Sequence, residues 1–302
     1  MPFPGGIEAT PNGLLLLSVV AAVLYCFMAH RPASWRRTVA KTAGVTLLGL
    51  LSYAAGGPLL LFFHGGAWIL GFKQYQALPM MHRLAAAGWI CMSFDYRLSP
   101  RATFPDHLID VKHAIAWAKE HAADYGGDAS FVAVSGNSAG AHLASLAALT
   151  WDDATLQPGF EDEDTSVDAV VSYYGVMDLR RAVEAHQNEG LRLLLERAAV
   201  KQPFERAQGL YVQLDPLSQV HADPPPILMV HGLHDRMVHV RDSEQLCARL
   251  REAGATEVHL LSVPYVAHAF DQAPTPAQQR AQRLVLSFLD RQWERHRATI
   301  GI

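Results

Sequence analysis

From residue 58 onward, short continuous apolar runs alternate with stretches in which apolar positions recur at helical spacing. The strand-like runs fall at residues 59–63, 89–94, 131–135, 169–174, 227–230 and 257–262. Runs this short, with no polar alternation, fit strands buried on both faces. Between them, Leu108, Val111, Ile115, Ala118 and Ala122 line one face of a helix over residues 105–123, with Pro105 suited to its first turn. A last helix over residues 276–295 carries Leu284, Phe288 and Leu289 on an apolar stripe. Buried strands separated by helices predict an α/β fold: a mostly parallel central sheet with helices on both faces and right-handed crossovers.

Two stretches depart from this alternation. The connection between the fourth and fifth strands is too long for a simple crossover and includes a charged helix predicted over residues 178–200 and the return Asp223-Pro224-Pro225-Pro226. An excursion of this length at the carboxyl end of a strand is the place for a small cap, here an insertion of about residues 175–226 within a catalytic domain of residues 58–302. The other departure is residues 1–57, an apolar N-terminal segment. Residues 14–29 carry no charge and would reach roughly 24 Å as a helix, slightly less than the ~30 Å core of a bilayer. No basic residues precede this run, which argues against a secretory leader. Residues 45–55 supply a second apolar stretch, so membrane association through residues 14–55 is one expectation. The alternative is a cytoplasmic protein in which these segments serve as a cap helix and an edge strand.

Charge sharpens the division without changing the fold class. Residues 1–57 carry Glu8 against Arg31, Arg36, Arg37 and Lys41, a balance of +3 that leaves −7 for the remainder of a chain with net charge −4. An acidic total gives no basis for nucleic-acid binding. Three widely spaced cysteines, Cys26, Cys91 and Cys247, offer no zinc-like spacing and read as buried thiols. His231, His234 and His239 lack a carboxylate at ligand spacing, so no metal site is expected.

The chemistry centres on Gly136-Asn137-Ser138-Ala139-Gly140, which lies between the third strand and a helix. A serine at such a turn is forced into a strained conformation that projects its hydroxyl from the sheet edge, and the first helical amides, including that of Ala139, are unpaired donors for an oxyanion. A serine nucleophile also needs a base and an orienting acid. His64-Gly65-Gly66-Ala67-Trp68 follows the first strand and places the amides of Gly65 and Gly66 where further oxyanion donors are needed. Asp235, after the fifth strand and a Gly232 turn, is the candidate acid; Asp95 and Asp271 are the competing carboxylates. His268, on the loop after the sixth strand, is the candidate base. The order Ser138, Asp235, His268, each on a loop after a strand, is that of a nucleophile-elbow hydrolase.

Together with Asp95-Tyr96-Arg97-Leu98-Ser99-Pro100 and His231-Gly232, these motifs resemble the hormone-sensitive-lipase-like bacterial carboxylesterases, and within them the membrane-associated mycobacterial-type esterases and lipases. The resemblance implies an α/β-hydrolase fold, no cofactor, a small-molecule ester substrate, and a serine esterase acting on short- to medium-chain acyl esters. It implies Ser138, His268 and Asp235 as the catalytic triad, Gly65, Gly66 and Ala139 as the oxyanion hole, and substrate-binding roles for Trp68, at the entrance, and Asn137. Asn137 stands where the family most often has aspartate, Ala141 where it often has glycine, and Arg101 where glutamate is usual. An arylformamidase or amidase using the same groups, and a non-catalytic scaffold of the same fold, are the rival readings. A homodimer is also open, because the first strands and cap helices of the family are short or replaced in this chain.

Overall fold

A computed structural model describes residues 56–184 and 189–301. The six expected strands form one sheet: β1 (Gly57–Phe63), β2 (Ile90–Phe94), β3 (Gly127–Asn137), β4 (Ala169–Tyr173), β5 (Ile227–Gly232) and β6 (Val258–Val263). The spatial order is β2-β1-β3-β4-β5-β6, and every neighbouring pair is parallel. This is the α/β-hydrolase arrangement expected from the motifs.

Strand alternation divides the core into two layers. Leu59, Leu61, Phe63, Val132, Val134, Val170, Ile227 and Met229 point to one face, where they meet α2 (Asp106–His121), α3 (Ala139–Leu149) and α7 (Val240–Glu252). Leu60, Phe62, Phe131, Ala133, Val171, Tyr173 and Val230 point to the other, against α1 (Leu78–Ala86) and α8 (Pro276–Ile300). Both faces are covered, which is why the strands lack polar alternation. The four positions of the helical repeat in α2, and Ala122 in the 3-10 turn that follows it, are all buried. In α8 the buried line is Ala281, Val285, Phe288, Leu289 and Gln292, whereas Leu284 is 44% exposed. One residue rotates a helix by about 100°, so Val285 rather than Leu284 continues the stripe set by Phe288 and Leu289.

Of the charged helix expected over residues 178–200, the described residues show α4 (Leu179–Glu184), α5 (Glu189–Leu194) and a π turn (Leu195–Ala199), with residues 185–188 outside them. Asp178 caps α4 by accepting from the Arg181 amide. A further helix, α6 (Gln208–Leu214), completes the excursion. Two main-chain carbonyls of the excursion tie it to the rest of the molecule, Ala199 accepting from the Phe104 amide at 2.9 Å and Leu214 from His142 Nε2 at 2.8 Å, and Arg181 pairs with Asp242 of α7.

Cys91 and Cys247 are unpaired, and burial pushes the Cys91 thiol up to about 12, so it stays protonated. Among the described residues no helix is long and apolar enough to cross a membrane. Residues 14–55, on which membrane association or an edge strand was expected, lie outside the described residues.

Candidate active site

Five strands deliver the site. β1, β3, β4, β5 and β6 all end at the same sheet edge, and within five residues of their ends come His64, Ser138, Tyr174, Asp235 and His268. Parallel pairing makes this happen, because every carboxyl end then points the same way.

Ser138 sits at φ 52° and ψ −115°, the strained turn expected of an elbow, and its amide donates to Tyr173 O at 2.9 Å. The two glycines around it are steric necessities: a Cβ on Gly136 would lie 2.4 Å from the Gly140 carbonyl carbon, and one on Gly140 would lie 2.1 Å from Phe63 O. The second contact also shows that the start of α3 rests directly on the end of β1, so the elbow and the oxyanion loop touch.

His268 bridges Ser138 and Asp235. Its Nε2 lies 3.0 Å from Ser138 Oγ and its Nδ1 2.6 Å from Asp235 Oδ2. With the Nδ1 proton donated to the carboxylate, Nε2 is free to accept the hydroxyl proton. Asp235 is buried, and its Oδ1 accepts from the amides of Met237 and Val238, both at 2.9 Å. Burial alone would raise its pKa, but hydrogen bonds from His231, His268 and the Val238 amide, with the His268 charge, hold it well below the usual carboxylate range. His231 is fully buried and spans Ser243 Oγ, Val238 O and Asp235 Oδ2, the last at 3.4 Å. The acid and base loops are laced together by Leu233 N to Val263 O and His234 N to Val266 O. Asp95 instead accepts from the Lys73 amide, lies 3.7 Å from His64 Nε2 and anchors the loop after β1.

The oxyanion loop differs from expectation in one position. Gly65 N–H already donates to Gln76 Oε1 at 2.7 Å, and so is not an available donor. The amides of Gly66, Ala67 and Ala139 have no acceptor among the described residues. Gly66 is at φ 132°, and Ala67 and Trp68 are both left-handed, at φ 54° and 62°. These conformations make the tight turn that carries the Gly66 and Ala67 amides.

Two assignments of substrate contact are also corrected. Trp68 is 1% exposed, edge-on to His142 with ring centroids 5.2 Å apart, so it belongs to the core beneath the site and not to its entrance. Asn137 is equally buried and donates from Nδ2 to Asp271 Oδ2 at 2.8 Å. Asp271 accepts from the Tyr174 hydroxyl on its other oxygen, and the Tyr174 ring lies 4.5 Å from that of His268. Asp271, read from sequence as a competing acid, therefore ties the elbow to the base loop. Burial raises its pKa, opposed by the hydrogen bonds from Tyr174 and Asn137. Neither Gln76 nor Tyr174 was singled out from sequence; the Tyr-Tyr pair ending β4 was the only local sign of the second.

The family model described as BD-FAE matches residues 52–250. The chain belongs to the BD-FAE family. Among its relatives, esterase LipQ of Mycobacterium tuberculosis is 41% identical over 86% of this chain and 64% of its own, and the probable carboxylic ester hydrolase LipM of the same organism is 45% identical over 73% of this chain and 51% of its own. This BD-FAE member thus spans about half to two thirds of the length of these relatives. They bear out the resemblance to bacterial hormone-sensitive-lipase-like esterases that the motifs carried. Among solved structures, esterase 2 of Thermogutta terrifontis phosphoramylated by tabun superposes with a TM-score of 0.66 at 26% identity, covering 79% of this chain and 84% of that one. A carbohydrate esterase from gut microbiota, at 24% identity and a TM-score of 0.68, shares the fold.

Proposed function

We propose that this BD-FAE member is a serine carboxylesterase that hydrolyses short- to medium-chain acyl esters through an acyl-enzyme. The observation that carries the reading is the continuous chain from Ser138 Oγ through His268 to Asp235 at the carboxyl edge of the sheet. Ser138 Oγ attacks the ester carbonyl as His268 Nε2 takes its proton, and Asp235 holds the imidazole and stabilises its charged form. The amides of Ala139, Gly66 and Ala67 receive the oxyanion, each such donor being worth about 3 kcal/mol in the transition state. His268 then returns the proton to the leaving alcohol, and water deacylates the serine by the same steps in reverse.

The names of relatives support an ester substrate, and structures of the Thermogutta esterase with propionate and with butyrate favour a short acyl group. In this reading residues 175–226 act as the cap over the acyl site. The test is hydrolysis of p-nitrophenyl esters from acetate to palmitate by wild type and Ser138→Ala. Activity greatest on short chains and abolished in the folded variant is the expected result; undiminished cleavage by Ser138→Ala would refute the assignment, and a maximum on palmitate would refute the short-acyl reading.

A further inference from the structure

The loop that would hold the oxyanion is costly to build. Ala67 and Trp68 stand in left-handed conformations without glycine's freedom, and the Gly66 carbonyl closes the turn by accepting from both Ile69 and Leu70. Something must fix the peptide that leads into this turn. His64 contributes from one side: it is fully buried, stacks on Tyr96 with centroids 4.4 Å apart, and pairs through Nδ1 with Gly65 O at 2.9 Å. The other hold is Gln76. Its Oε1 accepts from Gly65 N–H at 2.7 Å, and its Nε2 donates to Gly65 O at 3.2 Å. A primary amide thus pairs with both polar groups of one residue, as a neighbouring strand would. Gly65 in turn abuts the elbow: a Cβ there would lie 2.7 Å from Asn137 O.

Resting on the esterase reading above, we infer that Gln76 is the positioning residue of the oxyanion hole, setting the orientation of the Gly66 and Ala67 amides by pairing with both faces of Gly65. Gln76 touches neither substrate nor the reacting atoms. It removes Gly65 N–H from the reaction and holds the peptide from which the next two donors turn. The donor half of the pairing is the sensitive one. Without it Gly65 O keeps only His64, and the peptide can rotate about the remaining hydrogen bond.

The test compares wild type, Gln76→Ala and Gln76→Glu on p-nitrophenyl butyrate, with active sites counted by an organophosphate burst and folding checked by thermal denaturation. Misaligning an oxyanion donor is costly to the chemical step, so Gln76→Ala should lose about tenfold to hundredfold in kcat per active site while KM changes by less than about threefold. A trifluoromethyl ketone, which forms a tetrahedral adduct, should lose affinity by a similar factor. Gln76→Glu is nearly isosteric. Its carboxylate can accept from Gly65 but cannot donate until protonated, so its kcat relative to wild type should rise as pH falls from 8 to 5, which a purely structural role would not produce. Wild-type kcat per site in folded Gln76→Ala, or a Gln76→Glu ratio flat with pH, overturns the inference while leaving the esterase reading intact. A wild-type protein inert to all the esters and unlabelled by organophosphate overturns both.

Discussion

Replacing Asn137 by aspartate would put a second carboxyl group where an amide now donates to Asp271. The two side chains meet at 2.8 Å, with Asn137 1% and Asp271 7% exposed, so water cannot screen the pair. Two carboxylates this close cannot both ionise and will share a proton. In the unfolded chain both would ionise near pH 4. Keeping one protonated in the native state therefore costs about 1.4 kcal/mol for each pH unit above that value, reaching about 4 kcal/mol at pH 7. The sign follows from the proton count. The native pair binds one proton more than the unfolded chain, so the variant is nearest to wild type at pH 4 to 5 and falls behind as pH rises. Urea unfolding of wild type, Asn137→Asp and the doubly exchanged Asn137→Asp/Asp271→Asn protein at pH 5, 6, 7 and 8 measures this directly. The double exchange restores one amide facing one carboxylate and should recover most of the loss. A gap between Asn137→Asp and wild type that stays constant from pH 5 to 8, or a double variant no more stable than the single one, would refute the reasoning. The same contact accounts for asparagine at a position where related hydrolases most often carry aspartate: in this chain the negative charge comes from Asp271.

Asp235→Asn should lower kcat by about four orders of magnitude with folding retained, because the amide can donate to Nδ1 and so stabilise the tautomer whose Nε2 cannot take the serine proton; steady-state kinetics per titrated site would show it, and a loss below tenfold would count against Asp235 as the acid. Asp215, buried and bonded to the Leu179 amide and Ser218, has its pKa raised to about 6 by burial. A carboxyl whose folded pKa lies above its unfolded one contributes stability at low pH and loses it as pH rises, here between about pH 4 and 6. Asp215→Asn should therefore flatten the pH dependence of the urea midpoint across that window, and an unchanged slope would show that Asp215 is not its source.

How much could be read without coordinates depended on how local each feature is. All six strands were legible as short apolar runs, most strongly the inner ones, where β1, β4 and β5 are buried throughout, while the edge strands β2 and β6 keep the apolar run although only partly buried. Ser138, Asp235 and His268 were legible because each follows a strand, and parallel pairing then brings the strand ends together. The errors concern partners. Gly65 looked like an oxyanion donor because nothing adjacent to it says that a side chain eleven residues later occupies its amide. Asn137 looked available to substrate because Asp271, its partner, is 134 positions away. Trp68 follows the glycines that face the site, yet its left-handed backbone turns the indole down into the core.

The connection between β4 and β5 contributes none of Ser138, His268 and Asp235, and beside the Arg181–Asp242 ion pair and its buried apolar side chains it is tied to the rest of the molecule by the carbonyls of Ala199 and Leu214. A main-chain carbonyl is present whatever residue carries it. Substitutions at exposed positions of this segment can thus change its outer surface while these two carbonyl ties stay chemically unchanged. For laboratory evolution this makes residues 189–226 the natural region to randomise, and for natural lineages it is a route by which one catalytic frame acquires new preferences without dismantling its machinery.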